Sequence, residues 1–214
     1  MEIINQIVLS RIPRNTKRLL DIGCGTGWLG REIKKKNNCY VVGITISEEE
    51  AAIASQRLDR VIRCDLNNFD PSELGKFDCI VCSHILEHLY QPQDLLRRLR
   101  NNLVPDGVLI AALPNILIWK LRWEFLRGRF RYTDSWLMDR GHLRFFDWQS
   151  AHAFLEENGY KIIKSEADGN FPLPVIRRFL PSSISFWIDR SALKYFPGLF
   201  GFQFIFTASL APLN

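Results

Sequence analysis

The chain has 214 residues, of which 47% are hydrophobic and 24% charged, and its formal net charge is +5. This length suits a single α/β domain with insertions, and the composition is that of a soluble globular protein with a full core. No run reaches the roughly 18 uncharged apolar residues that a membrane helix needs. The first residues do not have the pattern of a signal peptide.

From the N-terminus to residue 114, the predicted strands and helices alternate. The helices are predicted at 3–9, 27–36, 48–58 and from Pro92 onward, and the strands at 17–22, 39–45, 60–64, 77–82 and 108–113. The helix at 48–58 begins with a capping box formed by Ser47 and Glu50. Alternation at this spacing predicts a doubly wound, mostly parallel α/β sheet with right-handed crossovers.

After residue 114 the pattern is less regular. A helix is predicted at 148–158 and strands at 160–165 and 202–209. Two insertions interrupt these elements: residues 116–146 are rich in aromatic and basic side chains, and residues 168–199 contain four prolines. We predict one domain over residues 1–214.

The cysteines and the charges argue against two broad classes of protein. Five is an odd number of cysteines, which predicts reduced thiols in a cytoplasmic protein rather than a disulfide framework. Cys79 and Cys82 are three residues apart in a predicted strand, so their side chains should lie on opposite faces as two buried thiols. The basic residues form no run of five or more, which disfavours a nucleic-acid partner.

Three alternating glycines, Gly23, Gly25 and Gly27, stand between the first predicted strand and an amphipathic helix. Glycines let the backbone approach a ligand closely, and the N–H groups at a helix start favour an anion. A dinucleotide-binding fingerprint, G-x-G-x-x-G, would need its third glycine at Trp28, so a nicotinamide-dependent reductase is disfavoured.

The glycines belong to a longer pattern, D-x-G-x-G-x-G, which begins at Asp21 and resembles the S-adenosylmethionine loop of class I methyltransferases. Three further segments resemble that family: F-D-C-I-V-C-S-H-I-L-E-H-L at 77–89, L-V-P-D-G-V-L-I-A-A-L-P-N at 103–115 and G-H-L-R-F-F-D-W at 141–148. The resemblance is strongest to methyltransferases of surface-polysaccharide and glycan biosynthesis. It implies a Rossmann-like methyltransferase fold: a doubly wound, seven-stranded, mostly parallel sheet with 202–209 antiparallel beside the fifth strand and a helical, aromatic insertion after that strand.

The same resemblance implies S-adenosyl-L-methionine as the cofactor and a set of residues that bind it. The acid at Asp21 would order the loop and hold the ammonium group, and the loop would line the methionine moiety. Asp65 would hydrogen-bond the adenine amino group, and His84 would flank the methyl donor. The full implied set is Asp21, Gly23, Cys24, Gly25, Gly27, Thr45, Asp65, Leu66, Ser83 and His84.

At one position the chain departs from the family, which usually has an acid at the end of the second strand to grip both ribose hydroxyls. This chain has Thr45 there, and a hydroxyl offers one neutral hydrogen bond where a carboxylate accepts two charge-assisted ones. The loss corresponds to about 1–3 kcal/mol of cofactor affinity. This departure motivates an alternative, a non-catalytic cofactor-binding or scaffold protein on the same fold.

Histidines are the candidates for a catalytic base. If the acceptor is a hydroxyl, His142 or His88 could take its proton. Each has a structural alternative, since His142 could instead hold its loop and His88 could pack under the fourth strand. Residues 84–88 also spell H-x-x-E-H, a zinc-peptidase pattern, but Pro92 leaves too little helix for that site, and no metal is predicted.

The insertions are predicted to cover the acceptor site. Aromatic faces stack on sugar rings and arginines bind phosphates or carboxylates, which suits an anionic glycan or a linked sugar; alternatively, the aromatics pack over the sheet edge. The Phe-rich C-terminal part predicts a peripheral membrane contact or a homodimer face. We predict methyl transfer to a small-molecule or glycan hydroxyl, with a nucleic-acid methyltransferase as a further alternative.

Overall fold

The computed structural model describes residues 5–173 and 176–212, and its sheet has seven strands. The strands are β1 (Arg18–Ile22), β2 (Tyr40–Thr45), β3 (Arg60–Arg63), β4 (Phe77–Ser83), β5 (Leu103–Pro114), β6 (Tyr160–Gly169) and β7 (Gly201–Leu210). Their order across the sheet is β3-β2-β1-β4-β5-β7-β6. Strand β7 is antiparallel to both β5 and β6, and the other neighbours are parallel. The predicted fold class, including the antiparallel strand beside β5, is confirmed.

Eight α-helices are described around this sheet. They are α1 (Gln6–Arg11), α2 (Trp28–Lys36), α3 (Glu48–Ala54), α4 (Pro92–Leu99), α5 (Trp119–Leu126), α6 (Trp148–Glu157), α7 (Ser182–Tyr195) and α8 (Pro197–Phe200). Residues 3 and 4 of the first predicted helix lie outside the described residues. Within the described ranges, no helix combines the length and the apolar character needed to cross a bilayer.

Helix α3 ends earlier than predicted, at Ala54 instead of residue 58. The chain turns after Ala54, and Leu58 then packs against the glycine positions of α2 and β2. A Cβ atom on Gly30 or Gly43 would lie 2.4 Å from a methyl carbon of Leu58. A last helical hydrogen bond, from the Leu58 N–H to the Ala54 carbonyl at 2.9 Å, holds Leu58 in this position.

The hydrophobic core forms two clusters, one on each face of the sheet. Cys79 belongs to one cluster and Cys82 to the other, and both are fully buried, which confirms the predicted opposite faces. Burial raises the pKa of both thiols well above the usual cysteine range. None of the five cysteines forms a disulfide in the described part of the chain.

Both insertions contain helices; the one in the first insertion agrees with the helical insertion that the family resemblance implies, and those in the second were not predicted. Helix α5 buries none of its residues, and every residue from 126 to 136 is exposed. The second insertion contains α7 and α8, which contact β6. Pro174, one of its four prolines, lies outside the described residues.

Candidate active site

The loop between β1 and α2 is a narrow backbone cradle at the carboxyl ends of the parallel strands. Its three glycines have left-handed backbone conformations, with φ of +77° at Gly23, +53° at Gly25 and +80° at Gly27. A Cβ atom on Gly23 would lie only 2.8 Å from the Ile85 side chain. On the other side, the Cys24 N–H donates to the Ile44 carbonyl at 2.8 Å. The loop is therefore fixed between the end of β2 and the segment that follows β4.

Asp21, two residues before the loop glycines begin, is a buried acid with an unsatisfied oxygen. Its Oδ2 has no hydrogen-bond partner among the described residues. Burial raises the pKa of the Asp21 carboxyl to about 7. A buried carboxylate without a partner is costly, and a cationic ligand group would remove that cost. This unpartnered acid beside a glycine cradle fits the ammonium and amino-acid end of S-adenosylmethionine.

At the end of β2, Thr45 is buried and its hydroxyl donates to Glu50 Oε2 at 2.5 Å. Asp65, just beyond β3, is exposed, and its Oδ1 accepts two hydrogen bonds of 2.9 Å from the backbone and side-chain N–H groups of Asn67. Leu66 is buried within a core cluster. The adenine contacts of Asp65 and Leu66 stay predictions.

His84 follows the end of β4 and has a left-handed φ of +53°. Its Nε2 lies 2.7 Å from Gln203 Oε1, which also accepts from Asn5, while the Gln203 amide nitrogen donates to Asp168. Its Nδ1 lies 3.3 Å from Glu87 Oε1. Both ring nitrogens therefore face acceptors, which is the bonding pattern of a protonated imidazole.

The His84 pKa agrees with that bonding pattern. Burial lowers the pKa, but hydrogen bonding and charge from Glu87 and the hydrogen bond to Gln203 raise it more, so the net shift is upward. A histidine held this way donates hydrogen bonds and is a poor proton acceptor. His84 is thus suited to positioning, and the base must be sought elsewhere.

The structure brings His88 and His142 together, with ring centroids 4.8 Å apart. His142 Nδ1 lies 3.2 Å from the Leu137 carbonyl, and His88 Nδ1 lies 3.0 Å from the Gly141 carbonyl. A carbonyl only accepts, so each Nδ1 carries a proton, and in the neutral form of such a ring the lone pair is on Nε2. Burial lowers the His142 pKa, partly opposed by the charge of Glu87, so this histidine is neutral near pH 7.

Glu87 links the segment after β4 to the loop that carries His142. Its side chain is fully buried, and its backbone carbonyl accepts from the N–H groups of Leu143 and Arg144 at 2.8 and 3.1 Å. Potential ligand atoms of Glu87, His88 and His142 all lie within 4.8 Å of one another, so among the described residues these three could hold a metal. The peptidase interpretation of the H-x-x-E-H pattern fails, because residues 86–88 form only a short 3₁₀ turn.

Most aromatic side chains of the first insertion do not pack over the sheet edge, so that alternative is wrong for them. They are between 39% and 62% exposed: Trp119, Trp123, Phe130, Tyr132 and Trp136. In α5 the residues Trp119, Trp123 and Leu126 lie on one side of the helix and Leu121 and Phe125 on the other, and none of them is buried. Phe130 contacts the rings of Phe125, Tyr132 and Phe145, and Phe145 contacts His142. This aromatic surface therefore leads to the histidine pair.

The sequence predicted most, but not all, of the residues of this site. Ser83 ends β4 and, like the glycine loop and Thr45, lies at the carboxyl edge. Three residues were missed: Glu50, Glu87 and Gln203. Glu50 was interpreted as part of a capping box, and Glu87 as part of the family segment L-E-H-L at residues 86–89. The signal at Gln203 was a polar residue between two phenylalanines of a buried strand.

Comparison with known proteins agrees with this geometry. A family profile described as a methyltransferase domain matches residues 3–165. A ubiquinone biosynthesis O-methyltransferase of Neisseria meningitidis serogroup C is 28% identical over 106 residues, which cover 46% of this chain and 44% of that protein. An uncharacterized protein of Methanocaldococcus jannaschii is 23% identical over 94% of this chain and 81% of its own length. The chain spans about half the length of the ubiquinone relatives it matches.

Solved structures show the same fold. The crystal structure of a SAM-dependent methyltransferase from Archaeoglobus fulgidus superposes with a TM-score of 0.65 at 20% identity, covering 95% of this chain and 93% of that one. A second S-adenosylmethionine-dependent methyltransferase, from Mesorhizobium loti, gives a TM-score of 0.62 at 19% identity, with coverage of 95% and 96%. At these identities the likeness supports the fold.

Proposed function

The chain belongs to the methyltransferase domain family, whose cofactor is S-adenosylmethionine, and we propose that it methylates a hydroxyl oxygen of its acceptor. The observation that carries the proposal is the His88–His142 pair, in which each ring donates through Nδ1 to a backbone carbonyl, so that Nε2 of His142 is left to accept a proton. When bound, the cofactor supplies a methyl group that is already activated by a positively charged sulfur. What this chain must add is alignment of the acceptor and removal of its proton.

In this proposal, His142 is the catalytic base. Its Nδ1–H is held by the Leu137 carbonyl, which orients Nε2 to accept the proton of the acceptor hydroxyl as the new carbon–oxygen bond forms. The lowered pKa keeps the ring unprotonated near pH 7. The buried Glu87 carboxylate then stabilises the imidazolium that results, as its effect on the His142 pKa indicates. His88 lies against this ring and limits its rotation.

The acceptor class follows from the surface beside the histidine pair. Exposed aromatic rings and basic side chains of residues 116–146 suit an acceptor with a flat or ring-shaped body and an anionic group. A glycan hydroxyl fits this chemistry, and a phenolic hydroxyl fits it too. The names of the ubiquinone-biosynthesis relatives support oxygen as the methylated atom. The insertions at 116–146 and 168–199 would cover this acceptor.

Further partner predictions concern α7 and its neighbours, which expose large aromatic residues: Phe179, Phe186, Trp187, Tyr195 and Phe196. Such a surface suits either a peripheral membrane contact or a homodimer. Both stay predictions, as does the cytoplasmic location.

The proposal is tested by measuring methyl transfer to a phenolic and to a sugar probe, with wild-type protein and with His142→Asn. Loss of a general base lowers the turnover rate by about 10²–10⁴-fold. The matched control is His152→Asn, because His152 lies on α6 with its Nδ1 bonded to the Trp148 carbonyl. The proposal is wrong if His142→Asn transfers methyl groups at the wild-type rate, or if only nitrogen or carbon acceptors react.

A further inference from the structure

We propose that Glu50 supplies the carboxylate that binds the ribose hydroxyls of the cofactor, in place of the acid missing at the end of β2. The inference rests on S-adenosylmethionine as the ligand of this site, and it concerns a residue outside the expected cofactor-binding set. It makes Thr45 a positioning residue that aims this carboxylate.

The first step of the argument is the position of Thr45. The preceding residue, Ile44, accepts the N–H of Cys24 in the glycine loop at 2.8 Å. Thr45 itself accepts the N–H of Cys64, at the start of the segment after β3, at 3.1 Å. The end of β2 thus lies between the loop that suits the amino-acid end and the segment with Asp65 that suits the adenine. The ribose joins those two parts of the cofactor, so it must pass this point.

The second step is the direction of the Glu50 side chain. In a reciprocal capping box its carboxylate would return to the N–H of Ser47. The Ser47 hydroxyl does accept the Glu50 N–H at 3.3 Å, but the Glu50 carboxylate lies instead on the Thr45 hydroxyl, at 2.5 Å. The Ser47 N–H is directed to the same hydroxyl oxygen, at 3.4 Å. Thr45 therefore occupies both groups that would otherwise close the box.

The third step is a comparison within the first turn of α3, which has three consecutive acids. Glu48 is directed to solvent, where it pairs with Arg63 and its side chain is 82% exposed. Glu49 is exposed as well. Glu50 is half-buried, and in the described ranges no cation forms an ion pair with it. Of the three acids, only Glu50 places its carboxylate at the end of β2, where that carboxylate can still accept further hydrogen bonds.

The fourth step is chemical. The hydrogen bond from Thr45 engages one oxygen of the Glu50 carboxylate, and a carboxylate has about four acceptor positions. Two neighbouring ribose hydroxyls can therefore both donate to it, as charge-assisted hydrogen bonds. A threonine hydroxyl alone could not provide this. The cofactor affinity that would be lost with Thr45 alone is then supplied by the hydrogen bonds of the Glu50 carboxylate.

The experiment is calorimetric titration with S-adenosylhomocysteine and with its 2′-deoxyribose analogue. The proteins are wild type, Glu50→Gln, Thr45→Val and the control Glu49→Gln, which removes the same charge one position earlier. We expect Glu50→Gln to weaken S-adenosylhomocysteine binding about tenfold to a hundredfold, the effect of losing one charged hydrogen-bond acceptor. Thr45→Val should weaken it less, and Glu49→Gln should not change it. Wild type should prefer the ribose ligand over the deoxy analogue, and Glu50→Gln should lose most of that preference.

Two results would overturn the inference while leaving the cofactor assignment intact: unchanged affinity in Glu50→Gln, or an undiminished preference for the ribose ligand in that variant. Absence of binding to wild type would instead overturn the cofactor premise, and the inference with it. Thermal unfolding of each variant identifies any that fails to fold. The double variant with Thr45→Asp and Glu50→Gln returns an acid to the end of β2, and we expect it to regain affinity.

Discussion

Lowering the pH below 7 should weaken cofactor binding through one residue, Asp21. In the unliganded protein, burial holds the pKa of this carboxyl at about 7, far above the usual value of 3.8. The ammonium group of the cofactor would stabilise the ionised carboxylate, so binding below pH 7 requires Asp21 to release its proton. Affinity for S-adenosylhomocysteine should therefore rise with pH and level off above about pH 7.

The size of this effect follows from the pKa of the unliganded protein. A ligand that binds only the ionised form loses affinity in proportion to the fraction that is protonated. With a pKa of about 7, the loss is about twofold at pH 7, tenfold at pH 6 and a hundredfold at pH 5. Over that range the amino group of the ligand stays protonated. His84 and His142 also titrate near this range, so the slope that belongs to Asp21 is the part that Asp21→Asn removes.

Calorimetry at several pH values measures the effect, and repeating it in buffers of different ionisation enthalpy counts the protons released. The control ligand is 5′-methylthioadenosine, which lacks the ammonium group and should bind with little dependence on pH. The control protein is Asp21→Asn, which should bind more weakly at pH 8 and show no slope. A flat wild-type affinity between pH 5 and 8, or an equal slope in Asp21→Asn, would refute the assignment of the ammonium to Asp21.

Three further predictions concern stability, cofactor binding and metal dependence. Because the raised pKa of Asp21 means that ionisation destabilises the folded state, stability should fall as pH rises from about 4 to 7; Asp21→Asn should remove this loss, about 4 kcal/mol at most, as measured by urea unfolding at pH 4 and pH 8. Gly23→Ala should weaken S-adenosylhomocysteine binding at least tenfold, since the new Cβ would lie 2.8 Å from Ile85. The control is Gly75→Ala, where no atom lies within 4 Å; at φ +75° and ψ −155° it should cost only backbone strain of about 1–3 kcal/mol in unfolding free energy and leave binding unchanged. Methyl transfer should survive EDTA treatment if histidine is the base, and activity that EDTA abolishes and zinc or magnesium restores would assign Glu87, His88 and His142 to a metal.

The parts of the fold that the sequence predicted are those controlled by local periodicity. The alternation of strands and helices predicted the parallel sheet, and the spacing of Cys79 and Cys82 predicted that their side chains lie on opposite faces. Helix α3 and helix α5 show the limit of this reasoning. The end of α3 is followed by a turn that places Leu58 against Gly30 and Gly43, and the apolar residues of α5 lie on two sides of a helix that buries none of them.

The candidate site was predicted wherever a residue stands in a recognisable segment, as Asp21 and the loop glycines do. It was not predictable where a side chain meets a distant part of the chain. Gln203 lies 119 residues from His84, and they meet because β7 is inserted beside β5. Glu50 was predictable as a helix-capping residue, but the choice between Ser47 and Thr45 depends on three-dimensional geometry.

The most direct test of this account is a crystal structure with S-adenosylhomocysteine bound. We predict the ligand's ammonium group within hydrogen-bond distance of Asp21 Oδ2, its ribose hydroxyls on the Glu50 carboxylate, and its sulfur on the side of the site that faces His88 and His142. A ligand bound away from the glycine loop would contradict the site itself. A sulfur directed away from the histidine pair would contradict the proposed role of His142.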